Sequence, residues 1–142
     1  MSVVARRYFL RGREARYRGD LPAAREAWGA AVELCPTFVE ARIGLGMAIG
    51  RDDPPRAVTT LRAGLGHGPR GRRRRLLLEA LGEAQVLAGD FAGADVSLSE
   101  AATLPGAGAE LWLRIARLRA RTHRFSEAFE AFAEAASRRS AG

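Results

Sequence analysis

Lysine and asparagine are absent from this 142-residue chain, and Gln85 is its only glutamine. All 23 strongly basic residues are therefore arginine. Lysine and asparagine codons are AT-rich, whereas arginine, alanine and glycine codons are GC-rich. A GC-rich genome accounts for this bias without any demand from function. The net charge of +7 favours anionic partners, but the coding bias reduces its weight. Cysteine is almost missing too. Cys35 stands alone before Pro36, which excludes a disulfide framework and a thiol metal cluster. It reads as a small, semi-buried apolar residue.

Other shortages narrow the function classes further. No apolar run approaches the ~18–20 residues that span a bilayer. Arg6 and Arg7 are followed by no apolar stretch, so the sequence predicts no secretory signal and a cytoplasmic location. His67, in Gly-His-Gly-Pro, and His123 have no second histidine or cysteine at ligand spacing, which argues against zinc. Ser97, Ser99 and Ser126 stand in helical context without a nucleophile elbow. Gly64-Leu65-Gly66-His67-Gly68 precedes arginines rather than Lys-Ser/Thr, and no strand comes before it, so it is no phosphate loop. The expectation is a chain with no catalytic residue, no metal and no cofactor, and hence not an enzyme.

What is present is a repeat. Pro36, Pro69 and Pro105 recur at nearly even spacing, each after a run that reads as helix. Gly19-Asp20 and Gly89-Asp90 precede further runs, with the aspartates as N-caps. Pro22, and Pro54 or Pro55, suit a first helical turn. Small residues form three series: Gly12, Gly46, Gly82 and Ala116; Ala24, Ala57, Ala94 and Ala128; Ala31, Gly64, Ala101 and Ala135. Trp28, Leu61, Leu98 and Phe132 fall in step with them. No stretch shows period-2 alternation, so no sheet is expected.

The shared period of about 34 residues is the tetratricopeptide length. The pattern of Tyr8, Gly12, Ala24, Trp28, Ala31 and Pro36, echoed in the later units, resembles that family over about residues 5 to 138. There are departures. Arg11 stands where the family usually has leucine, and unit two is one residue short at Asp52-Asp53-Pro54-Pro55. About three extra residues lie in Gly66 to Arg75, and unit four has His123-Arg124 in place of Gly-Asp and lacks the closing proline. The resemblance implies an all-α solenoid of four helix-turn-helix units, about eight helices, in a short right-handed superhelix. One domain, 1–142, is expected, with units near 5–38, 39–71, 75–106 and 109–138. Within each unit, pairs such as Gly12 with Ala24, or Gly82 with Ala94, are expected to let two helices approach. The large series should fill the space toward the next unit.

The resemblance also implies a concave surface, lined by the first helix of each unit, that holds a partner's peptide or helix. Carried over, the lining is Phe9, Arg13, Arg16 and Tyr17 from unit one, and Ile43, Met47 and Arg51 from unit two. Units three and four add Glu79, Glu83 and Leu87, then Leu113, Arg117 and Arg121. This mixed set suits a protein partner carrying acidic groups. Some members of the family grip a C-terminal carboxylate through lysine and asparagine. Lacking both, this chain cannot reproduce that clamp, although arginine can hold a carboxylate in bidentate fashion.

Two other features bear on function. Arg70, Arg72, Arg73, Arg74 and Arg75 form a basic junction that could bind phosphates of nucleic acid or another anion. No aromatic residue is interleaved for base stacking, and a solvated loop and helix start explains the run equally well. Phe129 is expected on the face where a fifth unit would sit, so a second copy or a partner would cover it. The function expected is a non-enzymatic protein-interaction adaptor. A basic anion-binding module and a self-assembling scaffold are the alternatives.

Overall fold

Aspartate side chains begin three of the helices. Asp20, Asp53 and Asp90 each accept a hydrogen bond from the backbone N–H three residues on, at 3.1, 3.3 and 2.9 Å. Each thereby satisfies a donor that the helix itself cannot. Pro22 and the Pro54-Pro55 pair occupy first turns, where no N–H partner is lost. Ser2 caps the first helix, its Oγ accepting from the N–H groups of Val4 and Ala5. In the computed structural model, which describes residues 1–141, these signals open the helices of an all-α chain. Gly142, the last residue of the expected domain, lies outside the described residues.

The first two units are α1 (Val3–Tyr17) with α2 (Leu21–Leu34), and α3 (Val39–Ile49) with α4 (Pro54–Leu65). The third is α5 (Gly71–Leu87) with α6 (Phe91–Ala102), and the fourth is α7 (Ala109–Arg121) with α8 (Phe125–Ala141). No strand occurs among the described residues. Each helix packs on the next in sequence, and α3 also packs directly on α5. Contact confined to near neighbours along the chain is the signature of a solenoid.

Alanine builds the seams between these helices. Ala24, Ala31, Ala57, Ala94, Ala101, Ala128 and Ala135 are all buried. The glycine series does something different from what the sequence suggests. A Cβ on Gly12 would lie 2.4 Å from Trp28 Nε1, one on Gly46 would lie 2.7 Å from Leu61 Cγ, and one on Gly82 would lie 2.6 Å from Leu98 Cδ2. Each glycine is thus the seat of the large residue, rather than the partner of the small alanine one turn earlier. Trp28 is held from the far side as well, because a Cβ on Gly44 would lie 2.7 Å from its Cδ2. Its indole N–H donates to the Phe9 carbonyl at 3.2 Å.

Unit four departs from this scheme. Ala116 supplies the methyl that the other units omit, and Phe132 stays 42% exposed instead of filling a space between units. Nothing within residues 1–141 packs over it as α3, α5 and α7 pack over Trp28, Leu61 and Leu98. The turn of unit four, in contrast, keeps the shape of those in units one and three. In unit one, Gly19 has φ +80° and the Asp20 N–H reaches back to the Ala15 carbonyl at 2.8 Å. In unit four, His123 has φ +64° and the Arg124 N–H reaches the Arg119 carbonyl at 2.8 Å. A histidine occupies the left-handed position that Gly19 and Gly89 take in units one and three. Its ring meets Phe125 edge-on, with centroids 5.7 Å apart.

The third unit begins earlier than expected. Helix α5 starts at Gly71, four residues before the boundary placed at 75, so Arg72 to Arg75 are helical rather than part of a loose junction. Cations at a helix N-terminus are disfavoured by its dipole. Carboxylates compensate here: Arg73 pairs with Glu40 at 3.2 Å, Arg74 with Glu100 at 2.6 Å and Arg75 with Glu79 at 2.5 Å. Arg75 also donates to the Pro105 carbonyl at 2.8 Å.

Candidate binding groove

The first helices of the four units, α1, α3, α5 and α7, converge on one cavity of about 620 Å3. Trp28, Leu98, Ala80, Ala84 and Gly46 form part of its wall, and Leu21, Met47, Val86 and Leu87 contribute further apolar surface. Met47 and Leu87 are 48% and 53% exposed. Charged groups complete the lining: Arg16, Arg51, Arg114, Arg117 and Arg121 against a single carboxylate, Glu83.

The cations are not equivalent. Arg114 holds Glu83 at 2.8 Å and approaches Glu79 at 3.7 Å. Arg121 lies over the Phe91 ring, 4.8 Å from its centroid. Among the described residues Arg16, Arg51, Arg117 and Arg121 make no ion pair, and all four are exposed. Arg16, Arg51 and Arg121 stand at or just past the C-terminal ends of their helices, where the dipole favours a cation. The backbone thus tolerates these charges, while their mutual repulsion across the cavity is left uncompensated.

A shallower depression of about 340 Å3 adjoins the first and shares Met47, Ala80, Glu83 and Arg114 with it. Glu40, Ile43, Leu76 and Glu79 complete its lining. Its carboxylates are already engaged: Glu40 by Arg73, and Glu79 by Arg75 and Arg114.

Of the residues carried over from the repeat pattern, the large cavity gathers Arg16, Met47, Arg51, Glu83, Leu87, Arg117 and Arg121. Ile43 and Glu79 join them in the adjoining depression. Four line neither: Phe9, Arg13, Tyr17 and Leu113. Phe9 packs into the core against Phe38, with centroids 5.0 Å apart, and Arg13 lies over its ring at 5.9 Å. Tyr17 is 95% exposed at the end of α1. Sequence reasoning missed Arg114, Leu21 and Val86. Arg114 stands three residues before Arg117, so helical spacing could have flagged it, but its pairing with α5 depends on packing between units.

The arginine run and Phe129 lie elsewhere. Arg73, Arg74 and Arg75 are engaged by the carboxylates described above, whereas Arg70 and Arg72 make no ion pair among the described residues. Phe125, Phe129 and Phe132 form a stripe at helical spacing on α8, with Phe129 74% exposed.

A buried polar cluster ties the last two units together. The Asp95 carboxylate on α6 accepts from Arg119 at 3.1 Å, from Ser99 Oγ at 2.9 Å and from Arg124. Burial alone would raise the pKa of Asp95, but hydrogen bonds from Arg119 and Ser99 and the charges of Arg119 and Arg124 outweigh it. The carboxyl is held below its ordinary range. Arg42 is buried without a carboxylate and donates to the carbonyls of Pro36 and Thr60 at 2.9 and 3.2 Å. Burial lowers its pKa. Both groups serve packing between units and lie outside the cavity lining.

No protein-family model matches the sequence, and no curated protein matches it. Solved structures do. A MamA protein aligns over 98% of this chain and 75% of its own, at 20% identity and a TM-score of 0.83. MamA 41-end from Desulfovibrio magneticus RS-1 aligns over 96% and 76%, at 15% identity and a TM-score of 0.83. TTC0263, a thermophilic TPR protein of Thermus thermophilus, aligns over 92% and 71%, at 22% identity and a TM-score of 0.74. Likeness at this level of identity establishes the fold: an all-α tetratricopeptide-type solenoid. No described helix is long and apolar enough to cross a membrane.

Proposed function

We propose that the chain is a non-enzymatic interaction adaptor whose concave cavity receives an acidic, partly apolar segment of a protein partner. One observation carries this reading. Four guanidinium groups without carboxylate partners, Arg16, Arg51, Arg117 and Arg121, surround a wall that exposes Met47 and Leu87. Apolar contact would supply affinity, and bidentate pairing of arginine with carboxylate would set register and specificity. The engagement of Arg73, Arg74 and Arg75 by carboxylates favours this cavity over the Arg70 to Arg75 run as the anion-recognising surface.

The test is charge reversal at Arg51, Arg117 and Arg121 together. Immobilised wild-type and variant proteins are compared for the partners they retain from host lysate, with cross-linking to locate the contacts. Cross-links from α3, α5 and α7 that disappear in the variant, with helicity unchanged, support the reading. Equal retention by both proteins would refute it.

A second reading rests on the α8 stripe. Phe125, Phe129 and Phe132 are the large apolar residues that face outward from the last unit. At the other end of the stack, α1 exposes Val3, Val4 and Leu10 interleaved with Arg7, Arg11 and Glu14. A second copy that pairs α8 with α8 about a two-fold axis would cover the stripe on both chains. Sedimentation should then show a dimer that Phe129→Glu converts to monomer. A monomeric wild type at high concentration would refute it.

A further inference from the structure

We infer that the occupant of the concave cavity is an α-helix, with an apolar stripe flanked by carboxylates, and not an extended peptide. This rests on the reading of the cavity as the partner site and deepens it.

The argument is an inventory of hydrogen-bonding groups. An extended peptide presents backbone N–H and C=O groups along its whole length, and a binding surface that dries them must replace the lost water. Neutral side chains that both donate and accept do this best, and the lining has none. The large cavity holds no Asn, Gln, Ser, Thr, Tyr or His. Apart from the Trp28 indole, its polar side chains are five arginines and Glu83. The Trp28 indole N–H is already committed to the Phe9 carbonyl. The adjoining depression offers only Glu40, Glu79, Glu83 and Arg114 as polar residues. The one glutamine of the chain, Gln85, is buried and accepts from Ser97 Oγ at 2.7 Å, so it cannot turn toward a ligand.

Acceptors are scarcer still. Glu83, the one carboxylate in the large cavity, already holds Arg114. A ligand N–H buried there would find no free side-chain acceptor, only carbonyls at the ends of α3 and α5. A helix satisfies its own N–H and C=O groups internally and needs from its receptor only apolar contact and charge. Those are the two things this surface offers.

Position adds a register. Packed helices lie roughly 8–10 Å apart, and α3 packs on α5 while α7 reaches α5 through the Arg114–Glu83 pair, so Arg51, beyond the end of α3, and Arg117 and Arg121 on α7 stand on the order of 20 Å apart. A helix rising about 1.5 Å per residue covers that span in roughly 11–13 residues. Leu87 lies between them on α5. The ligand helix therefore carries acidic residues about three turns apart on one flank, with apolar residues between them facing Met47 and Leu87.

The experiment uses two display libraries of peptides roughly 20 residues long, enough for ~30 Å of helix. Both randomise Leu, Met, Phe, Ala, Glu and Asp. In one, a side-chain cross-link one turn apart holds every member helical. In the other, proline at every fourth position forbids helix. Each library is selected on the intact protein, and binders are retested on Arg51→Glu/Arg117→Glu/Arg121→Glu. Arg51→Met/Arg117→Met/Arg121→Met serves should the reversed variant lose helicity. The expected result is binders from the helical library, with acidic residues about three turns apart, that weaken at least tenfold on the variant. Arginine-dependent binders from the proline library alone would overturn the helical occupant and leave the cavity as a peptide site. No arginine-dependent binder from either library would overturn both.

Discussion

Gly12→Ala should be among the most damaging single-methyl additions in this protein, while Gly29→Ala should stabilise it. Both glycines lie inside helices, Gly12 in α1 and Gly29 in α2. A Cβ at Gly12 would stand 2.4, 2.5 and 2.7 Å from Nε1, Cδ1 and Cε2 of Trp28. The ring is rigid, 2% exposed and blocked on its other side by the backbone of Gly44. It cannot retreat without giving up its 3.2 Å bond to the Phe9 carbonyl. Overpacking a filled core costs about 1–3 kcal/mol, and the lost indole bond adds about 1 kcal/mol. Alanine's helix propensity returns about 1 kcal/mol. The net expectation is a loss of about 2 kcal/mol. At Gly29 an added Cβ meets nothing within 4 Å, so only the propensity gain of about 1 kcal/mol remains. Urea unfolding followed by circular dichroism measures both. Because each unit touches only its neighbours, hydrogen exchange in Gly12→Ala should rise mainly in α1 to α3. A Gly12→Ala protein within about 0.5 kcal/mol of wild type would refute the seat described for Trp28.

His123→Gly should raise stability by about 0.5–1 kcal/mol, since a left-handed conformation costs a non-glycine residue roughly 1 kcal/mol and the Phe125 contact returns part of it. A lower urea midpoint in the variant would mean that the ring contact outweighs the strain. Asp95→Asn should cost about 3 kcal/mol near neutral pH, because Arg119 and Arg124 would lose their buried counter-charge. The folded-state pKa of Asp95 is depressed, so the unfolded chain takes up its proton first as acid is added. The stabilisation is complete above the ordinary carboxylate range and disappears as pH falls through the depressed value. Melting temperatures of wild type and Asp95→Asn should therefore draw together as pH falls through and below the ordinary carboxylate range, and a constant gap there would refute the assignment.

Much of this fold is legible in the sequence because its signals are local. Asp20 and Asp90 are caps, Pro22 and Pro54-Pro55 open helices, and the small and large series recur in phase. The errors arise where side-chain direction or tertiary partners decide. A helical side chain leans back over the turn that precedes it, so the ring of Trp28 reaches Gly12 although Ala24 is the small residue aligned in the pattern. The start of α5 is hidden because arginines are poor helix openers in isolation, and the carboxylates that compensate come from α3, α5 and α6. Register alone puts Phe9 in the groove, yet Phe38 from the loop before α3 draws it into the core. His123 adopts a turn that its sequence does not announce, because the flanking helices of unit four dictate the backbone.

Charge density along the sequence and charge availability in space point in different directions here. The five arginines between positions 70 and 75 form the densest cluster, and three of them are spent on carboxylates of the fold. Arg42 is spent on two carbonyls, and Arg119 and Arg124 on Asp95. The arginines left without carboxylates in the cavity, at positions 16, 51, 117 and 121, are scattered over most of the chain. Only the stacking of α1, α3 and α7 around one concavity brings them to a common surface. A repeat architecture has this property: one position per unit becomes one row across the assembly, so dispersed single charges combine into a field. The coding bias toward arginine explains why the chain has so many cations, but it acts at every position alike. It does not explain why four arginines without carboxylate partners converge on one concavity that also exposes Met47 and Leu87. That convergence, rather than the net charge, is the physical ground for proposing an acidic ligand there.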